Sequence, residues 1–268
     1  MALLSCEYYS QARRSQQSFN VIMPMESMPD MTGKVAYSEG PFKTLYLLHG
    51  YSGSRNDWQR NSLVETWAKE HRYAVVMPDG ANSFYLDNEE TGELYGSFIG
   101  EELVQVSRQM FPLSQKREDT VLAGLSMGGF GALRNGLYYS DVFSAVIALS
   151  SALITDEVAA MRPGESNAIA PYSYYRHTFG PPEKLLGSIR DPKYLAKRCL
   201  DTGSQPRIFL ACGREDFLYP ENRDFHEHLK VIGYQHKWWV RSGTHDFIFW
   251  GKALQEALRW LAGEQSKV

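Results

Sequence analysis

The sequence predicts an α/β fold built on a mostly parallel twisted sheet, and three observations predict it. Short apolar runs alternate with amphipathic stretches along 268 residues, the pattern of strands covered by helices. Several of those runs are apolar without interruption, as strands buried on both faces must be. Hydrophobic residues make up 43% of the chain and charged residues 22%, a composition that excludes disorder. No internal repeat or low-complexity tract divides it, so residues 1–268 read as one domain.

Taken in order, strands are expected at Ser18–Met23, Thr44–His49, Ala74–Pro78, Thr120–Leu125, Ala145–Leu149, Arg207–Cys212 and Lys237–Arg241. Helices fill the gaps. Leu63, Val64, Trp67 and Ala68 fall at helical spacing, as do Phe98, Ile99, Leu103, Val106 and Met110. Phe225, Leu229 and Ile232 make a third stripe, closed by Gly233 as a C-terminal cap. The last helix carries Phe249, Ala253, Leu254, Ala257, Leu258 and Leu261. All four stripes read as core packing. Residues 151–206 break the alternation, with Pro163, Pro171, Pro181, Pro182 and Pro192 among Gly and Tyr. This stretch reads as a long insertion between two strands that overhangs the site and shapes its pocket. Its Tyr172, Tyr174, Tyr175 and Phe179 pack the insertion down or, alternatively, stack on sugar rings.

Charge and cysteine content exclude several classes of function. With 28 basic and 31 acidic residues the net charge is −3, and no basic stripe offers a surface for nucleic acid or an anionic membrane. Cys6, Cys199 and Cys212 are few, odd in number and far apart, which excludes a disulfide framework and a cysteine-built zinc site. Residues 1–6 resemble a lipoprotein cleavage box only faintly, since no basic stretch precedes them and the apolar run is short. A cytoplasmic protein is expected. No metal-ligand spacing, P-loop or dinucleotide fingerprint is present, so neither metal nor cofactor is expected.

The chemistry centres on Gly124-x-Ser126-x-Gly128, which follows the apolar run Val121–Ala123 and precedes a helix beginning near Phe130. A strand that turns sharply into a helix strains its apex residue, and glycine neighbours let the turn close. The apex hydroxyl then stands at a helix N-terminus, where free N–H groups and the dipole favour a developing anion. Ser126 is therefore the candidate nucleophile. Serine needs a base, and in this arrangement the acid and then the histidine follow it in the chain. His245 lies just past the strand around Val240 and before the last helix, at the carboxyl edge of the sheet where ligands bind. His226 and His228 belong to a helix, and His236 precedes the last strand. Asp216, in the loop after Arg207–Cys212, is the candidate acid, with Glu215 beside it as the alternative and Asp246 poorly placed next to His245. Two donors are needed for an oxyanion: the amide of Met127 and one from the loop at Gly50, where Tyr51 is first choice and Ser52 second. His49 on that loop reads as a hydrogen-bonding residue.

Five blocks carry a resemblance: Leu48–Trp58, Met77–Gly80 with Ser83–Tyr85, Gly124–Gly129, Gly213–Tyr219 and Gly243–Trp250. In order and in wording they resemble the esterase D group of α/β-hydrolases, above all its tributyrin esterase branch, which is related to acetyl-xylan and feruloyl esterases and to S-formylglutathione hydrolases. The resemblance implies an α/β-hydrolase fold and cofactor-free hydrolysis of carboxylic esters by a serine nucleophile. It carries the triad onto Ser126, Asp216 and His245. It also implies short-chain, acetyl-type small-molecule esters, acetylated or feruloylated carbohydrates among them, and admits a homo-oligomer. Thioester hydrolysis and non-catalytic carbohydrate binding are the alternatives. Phe247 stands where the family pattern has Trp, a difference expected to fall on the pocket wall.

Overall fold

The structure is a computed structural model that describes residues 1–26, 31–37 and 39–263. Its frame is an eight-stranded sheet. The chain opens with β1 (Ala2–Ser10), β2 (Ser15–Met23), β3 (Lys43–Leu48) and β4 (Tyr73–Pro78). A small hairpin, β5 (Asp87–Asn88) and β6 (Glu93–Leu94), stands apart. The sheet resumes with β7 (Thr120–Leu125), β8 (Ala145–Leu149), β9 (Arg207–Gly213) and β10 (His236–Arg241). Across the sheet the order is β1-β2-β4-β3-β7-β8-β9-β10. The two pairings that involve β2 are antiparallel, and every other pairing in the sheet is parallel. All seven expected strands are present within two or three residues of their expected ends.

Helices cover both faces, as a parallel sheet requires. They are α1 (Asp57–Asn61), α2 (Val64–His71), α3 (Tyr95–Ser97), α4 (Leu103–Met110) and α5 (Met127–Tyr138), then α6 (Thr155–Ala160), α7 (Tyr172–Phe179), α8 (Pro192–Thr202), α9 (Tyr219–Val231) and α10 (Phe247–Leu261). On one side α2 and α10 seal a core through Trp67, Ala253, Leu254 and Ala257 against Leu47, Val75 and Ile147. On the other, α4, α5 and the insertion bury Leu103, Phe130 and Leu195 against Tyr46 and Leu122. Gly233 (φ 78°) ends α9 as expected: its amide bonds Lys230 O, and that of Tyr234 reaches back to Leu229 O.

Two features differ from the sequence reading. The N-terminal residues form β1, an edge strand paired along its whole length with β2, from Ala2 opposite Met23 to Ser10 opposite Ser15. Its outward residues Leu3, Ser5, Glu7 and Tyr9 are exposed, so it carries no unbroken apolar signal. The second difference is one of phase. A π turn at Phe98–Glu102 joins α3 to α4 and inserts one extra residue into the helical repeat. The inward positions therefore move from Val106 and Met110 to Val104 and Ser107, and Met110 is left half in solvent.

The insertion does not stand apart from the sheet's own core. Helix α8 packs on α5, Leu195 is fully buried, and the Cys199 thiol donates to Leu137 O at 3.2 Å. Leu195→Ala should therefore lower the stability of the whole chain by about 2–5 kcal/mol. Urea unfolding followed by tryptophan fluorescence checks this, with one transition expected in both proteins.

Candidate active site

The carboxyl ends of β3, β7, β8, β9 and β10 point to one edge of the sheet, and every candidate residue lies just beyond one of them. Ser126 follows β7 directly and precedes α5, with φ 55° and ψ −120°. A side chain in that region costs on the order of 1–3 kcal/mol, a cost met only where surroundings enforce it. Here they do. The Ser126 amide donates to Leu149 O at 2.8 Å, while its carbonyl accepts from Phe130 N and Ala152 N, each at 3.0 Å.

The two glycines of the motif act through distance. A Cβ on Gly124 would lie 2.2 Å from Gly128 O, so the strand and the first helical turn could not close on each other. A Cβ on Gly128 would lie 2.5 Å from His49 O and 2.7 Å from Leu48 O. Their bareness lets the start of α5 sit against the end of β3. Met127 and Tyr51 consequently line one cavity with Ser126. Among the described residues neither amide has an acceptor. Ser52 is different: its amide donates to Asn82 Oδ1 at 2.7 Å, so of these two amides the one at Tyr51 has no acceptor among the described residues.

His49 serves the loop as expected. It is buried, with Nδ1 against Gly50 O at 2.7 Å and Nε2 accepting from Gly80 N at 2.9 Å. Those partners fix the tautomer with the proton on Nδ1, and burial lowers the ring's pKa, keeping it neutral.

Asp216 and His245, 29 residues apart, are brought together. His245 Nδ1 lies 3.0 Å from Asp216 Oδ1 and 2.9 Å from Oδ2, and the Asp216 side chain has no exposed surface. Gly213 makes the meeting of their loops possible, since a Cβ there would stand 2.0 Å from Gly243 O. The backbones then bond directly, Arg214 N to Arg241 O at 3.0 Å and Glu215 N to Gly243 O at 3.2 Å. Glu215, the alternative acid, is turned the other way: its Oε2 accepts from Gly243 N at 2.6 Å and braces the histidine loop. Asp246 caps α10, accepting from Phe249 N at 2.9 Å. Burial pushes the Asp216 carboxyl up, but the hydrogen bonds from His245 and the Leu218 amide outweigh it and hold the group below its usual range. Other histidines are engaged elsewhere: His226 with His236, His228 with Lys193 O, and His177 with Glu93.

The His245 ring packs between Phe217, with centroids 4.6 Å apart, and Trp250, at 4.8 Å. Phe217 in turn lines the cavity of Ser126, which measures about 290 Å³. The insertion supplies much of the remaining wall through Ile154, Asn167, Ile169 and Tyr175. Tyr175 and Phe179 are buried, and Tyr174 sets its ring at right angles to Tyr51, so these aromatics mainly pack. Phe247 does not line the cavity. Its ring lies edge-on between Trp58 and Trp250, behind His245, so the departure from the family pattern falls on packing and not on the pocket wall.

Sequence reading missed Asn222. It is fully buried, accepts from Ser151 N at 3.0 Å and donates to Ser151 O at 2.8 Å and Leu218 O at 2.7 Å. It thereby ties the acid's loop to the segment that bonds Ser126 O. A polar residue on a helix face carries no mark of such a role in the sequence.

Comparison with known proteins identifies the family. The Esterase family model matches residues 26–261. An acetyl esterase of Caldicellulosiruptor saccharolyticus is 41% identical over 263 residues, which is 98% of each chain. Among solved structures, the substrate-bound fluorophosphonate-binding serine hydrolase F of Staphylococcus aureus superposes with a TM-score of 0.84 at 31% identity, covering 97% of this chain and 98% of that one. An S-formylglutathione hydrolase of the same organism gives 0.81 at 30%, with the same coverage. The chain belongs to the Esterase family of α/β-hydrolase fold proteins. It is a serine ester hydrolase. No helix among the described residues is long and apolar enough to cross a membrane.

Two outcomes are expected from this geometry. Gly128→Ala should destabilise the fold by about 1–3 kcal/mol, because carbonyl oxygens block the added methyl and backbone must shift; a thermal melt measures it. The depressed Asp216 carboxyl adds stability that is present above its unfolded pKa, near 4, and is lost as pH falls through the lower folded value. The stability gap between the wild type and Asp216→Asn should therefore shrink below about pH 4, as urea titrations at stepped pH will read.

Proposed function

We propose that the chain hydrolyses short-chain, acetyl-type carboxylic esters through an acyl-enzyme intermediate formed on Ser126. Ser126 Oγ attacks the ester carbonyl while His245 takes its proton, and Asp216 holds the imidazole tautomer and stabilises the imidazolium. The amides of Met127 and Tyr51 receive the oxyanion. His245 then protonates the departing alcohol, and water repeats the sequence to free the acid.

The observation that carries this reading is the His245–Asp216 pair at 2.9 Å, sharing Phe217 with the cavity of the strained Ser126. Support for short acyl groups comes from the cavity's modest size and from the acetyl esterase that is 41% identical. Thioester hydrolysis is a second reading, favoured by the S-formylglutathione hydrolase at 30% identity, and it would use the same groups. Relative rates on matched acetyl oxyesters and thioesters separate the two.

Ser126→Ala should reduce kcat on p-nitrophenyl acetate by roughly 10⁶, as removal of such a nucleophile does in serine proteases. It should also abolish labelling by a fluorophosphonate probe. Near-normal turnover in that variant, or a label on another residue, would sink the mechanism.

A further inference from the structure

The cavity of Ser126 carries two carboxylates, Glu157 and Glu221, and no lysine or arginine among its lining residues. Glu157 is already engaged: its Oε1 accepts from Asn167 Nδ2 at 2.8 Å, and Asn167 Oδ1 accepts from Tyr175 Oη at 3.1 Å. Glu221 is not. It stands in the first turn of α9, and among the described residues its Oε2 has no hydrogen-bond partner. A carboxylate that lines a cavity and has no partner within the protein is left to meet its hydrogen-bond and charge needs with whatever fills that cavity.

Position along the wall says which part of a substrate reaches it. Phe217, Leu218 and Glu221 line the same cavity from one short stretch, and the Phe217 ring packs on His245. In the mechanism above His245 hands its proton to the departing oxygen, so this wall flanks the alcohol and not the acyl group.

We propose that Glu221 is the specificity-determining acceptor for the alcohol part of the ester, selecting alcohols that carry a hydroxyl or ammonium donor and disfavouring those that carry a carboxylate. The inference rests on the ester-hydrolase reading with Ser126 as nucleophile. Like charges a few ångströms apart in a half-enclosed cavity repel strongly enough to change a specificity constant by about tenfold. Glutathione thioesters, whose leaving thiol bears two carboxylates, fall on the disfavoured side.

Four acetates that differ only at the end of the alcohol provide the test: 2-hydroxyethyl acetate, 2-methoxyethyl acetate, protonated 2-(dimethylamino)ethyl acetate and acetoxyacetate. The ratio of variant to wild-type kcat/KM for each ester cancels its intrinsic reactivity. Relative to the methoxy ester, Glu221→Gln should lower the ammonium ester about tenfold and raise acetoxyacetate about tenfold. The hydroxyl ester should hold its relative rate, because the amide still offers an acceptor, and should lose it in Glu221→Leu. Glu157→Gln, which changes the same net charge at an engaged carboxylate, should move these ratios less. Unmoved ratios in both Glu221 variants, or a full effect in Glu157→Gln with none in Glu221→Gln, would overturn the proposal. Glutamine matches glutamate in size, so Glu221→Gln keeps the test decisive should the leucine variant fail to fold. The underlying reading fails separately, through equal rates of wild type and Ser126→Ala on 2-methoxyethyl acetate.

Discussion

The site depends on how closely backbone can approach backbone at one edge of the sheet. At Gly128 the first turn of α5 rests on the carbonyls of Leu48 and His49, and at Gly213 the acid's loop rests on Gly243. A methyl group at either place would meet carbonyl oxygen at 2.0 to 2.7 Å. Two contacts without side chains thus bring four connections of the chain to one rim. Around them the polar framework closes: His49 spans Gly50 and Gly80, Asn222 holds Ser151 and Leu218, and Glu215 holds Gly243.

That framework explains the division of labour among the carboxylates. Asp216, Glu215 and Asp246 lie near one histidine, and each answers to a different set of donors. Asp216 is buried where the His245 ring and the Leu218 amide can both reach it. Glu215 accepts from a backbone amide, and Asp246 from the first turn of a helix. A hydrogen bond to a backbone amide fixes a loop, while one to a ring nitrogen fixes a tautomer. Side chains of similar chemistry thereby take structural and chemical roles according to what faces them.

The insertion shows the same economy. Its helix α8 buries Leu195 in the core shared with α5, while residues between Ile154 and Tyr175 line the cavity together with Phe217. Tyr175 belongs to both, since it lines the cavity and is buried in that same core.

Much was legible in the sequence because it rests on local rules. Short apolar runs mark strands, several of them uninterrupted where both faces are covered, and seven strands were readable. Glycines flanking Ser126 mark a turn too tight for side chains, and Asp216 and His245 each stand in a loop just past a strand. Other features were decided only by tertiary structure. β1 is an edge strand whose outer residues face solvent, so no apolar run announces it. The π turn at Phe98–Glu102 shifted the buried face of α4 by one position, which regular helical spacing does not anticipate. That the Ser52 amide is engaged, that Asp216 and not Glu215 meets His245, and where Phe247 lies all turned on partners remote in sequence: Asn82, Gly243 and Trp58. Periodicity along a chain reports which side of an element is covered, whereas hydrogen bonds and ring contacts between distant segments exist only once those segments have been packed together.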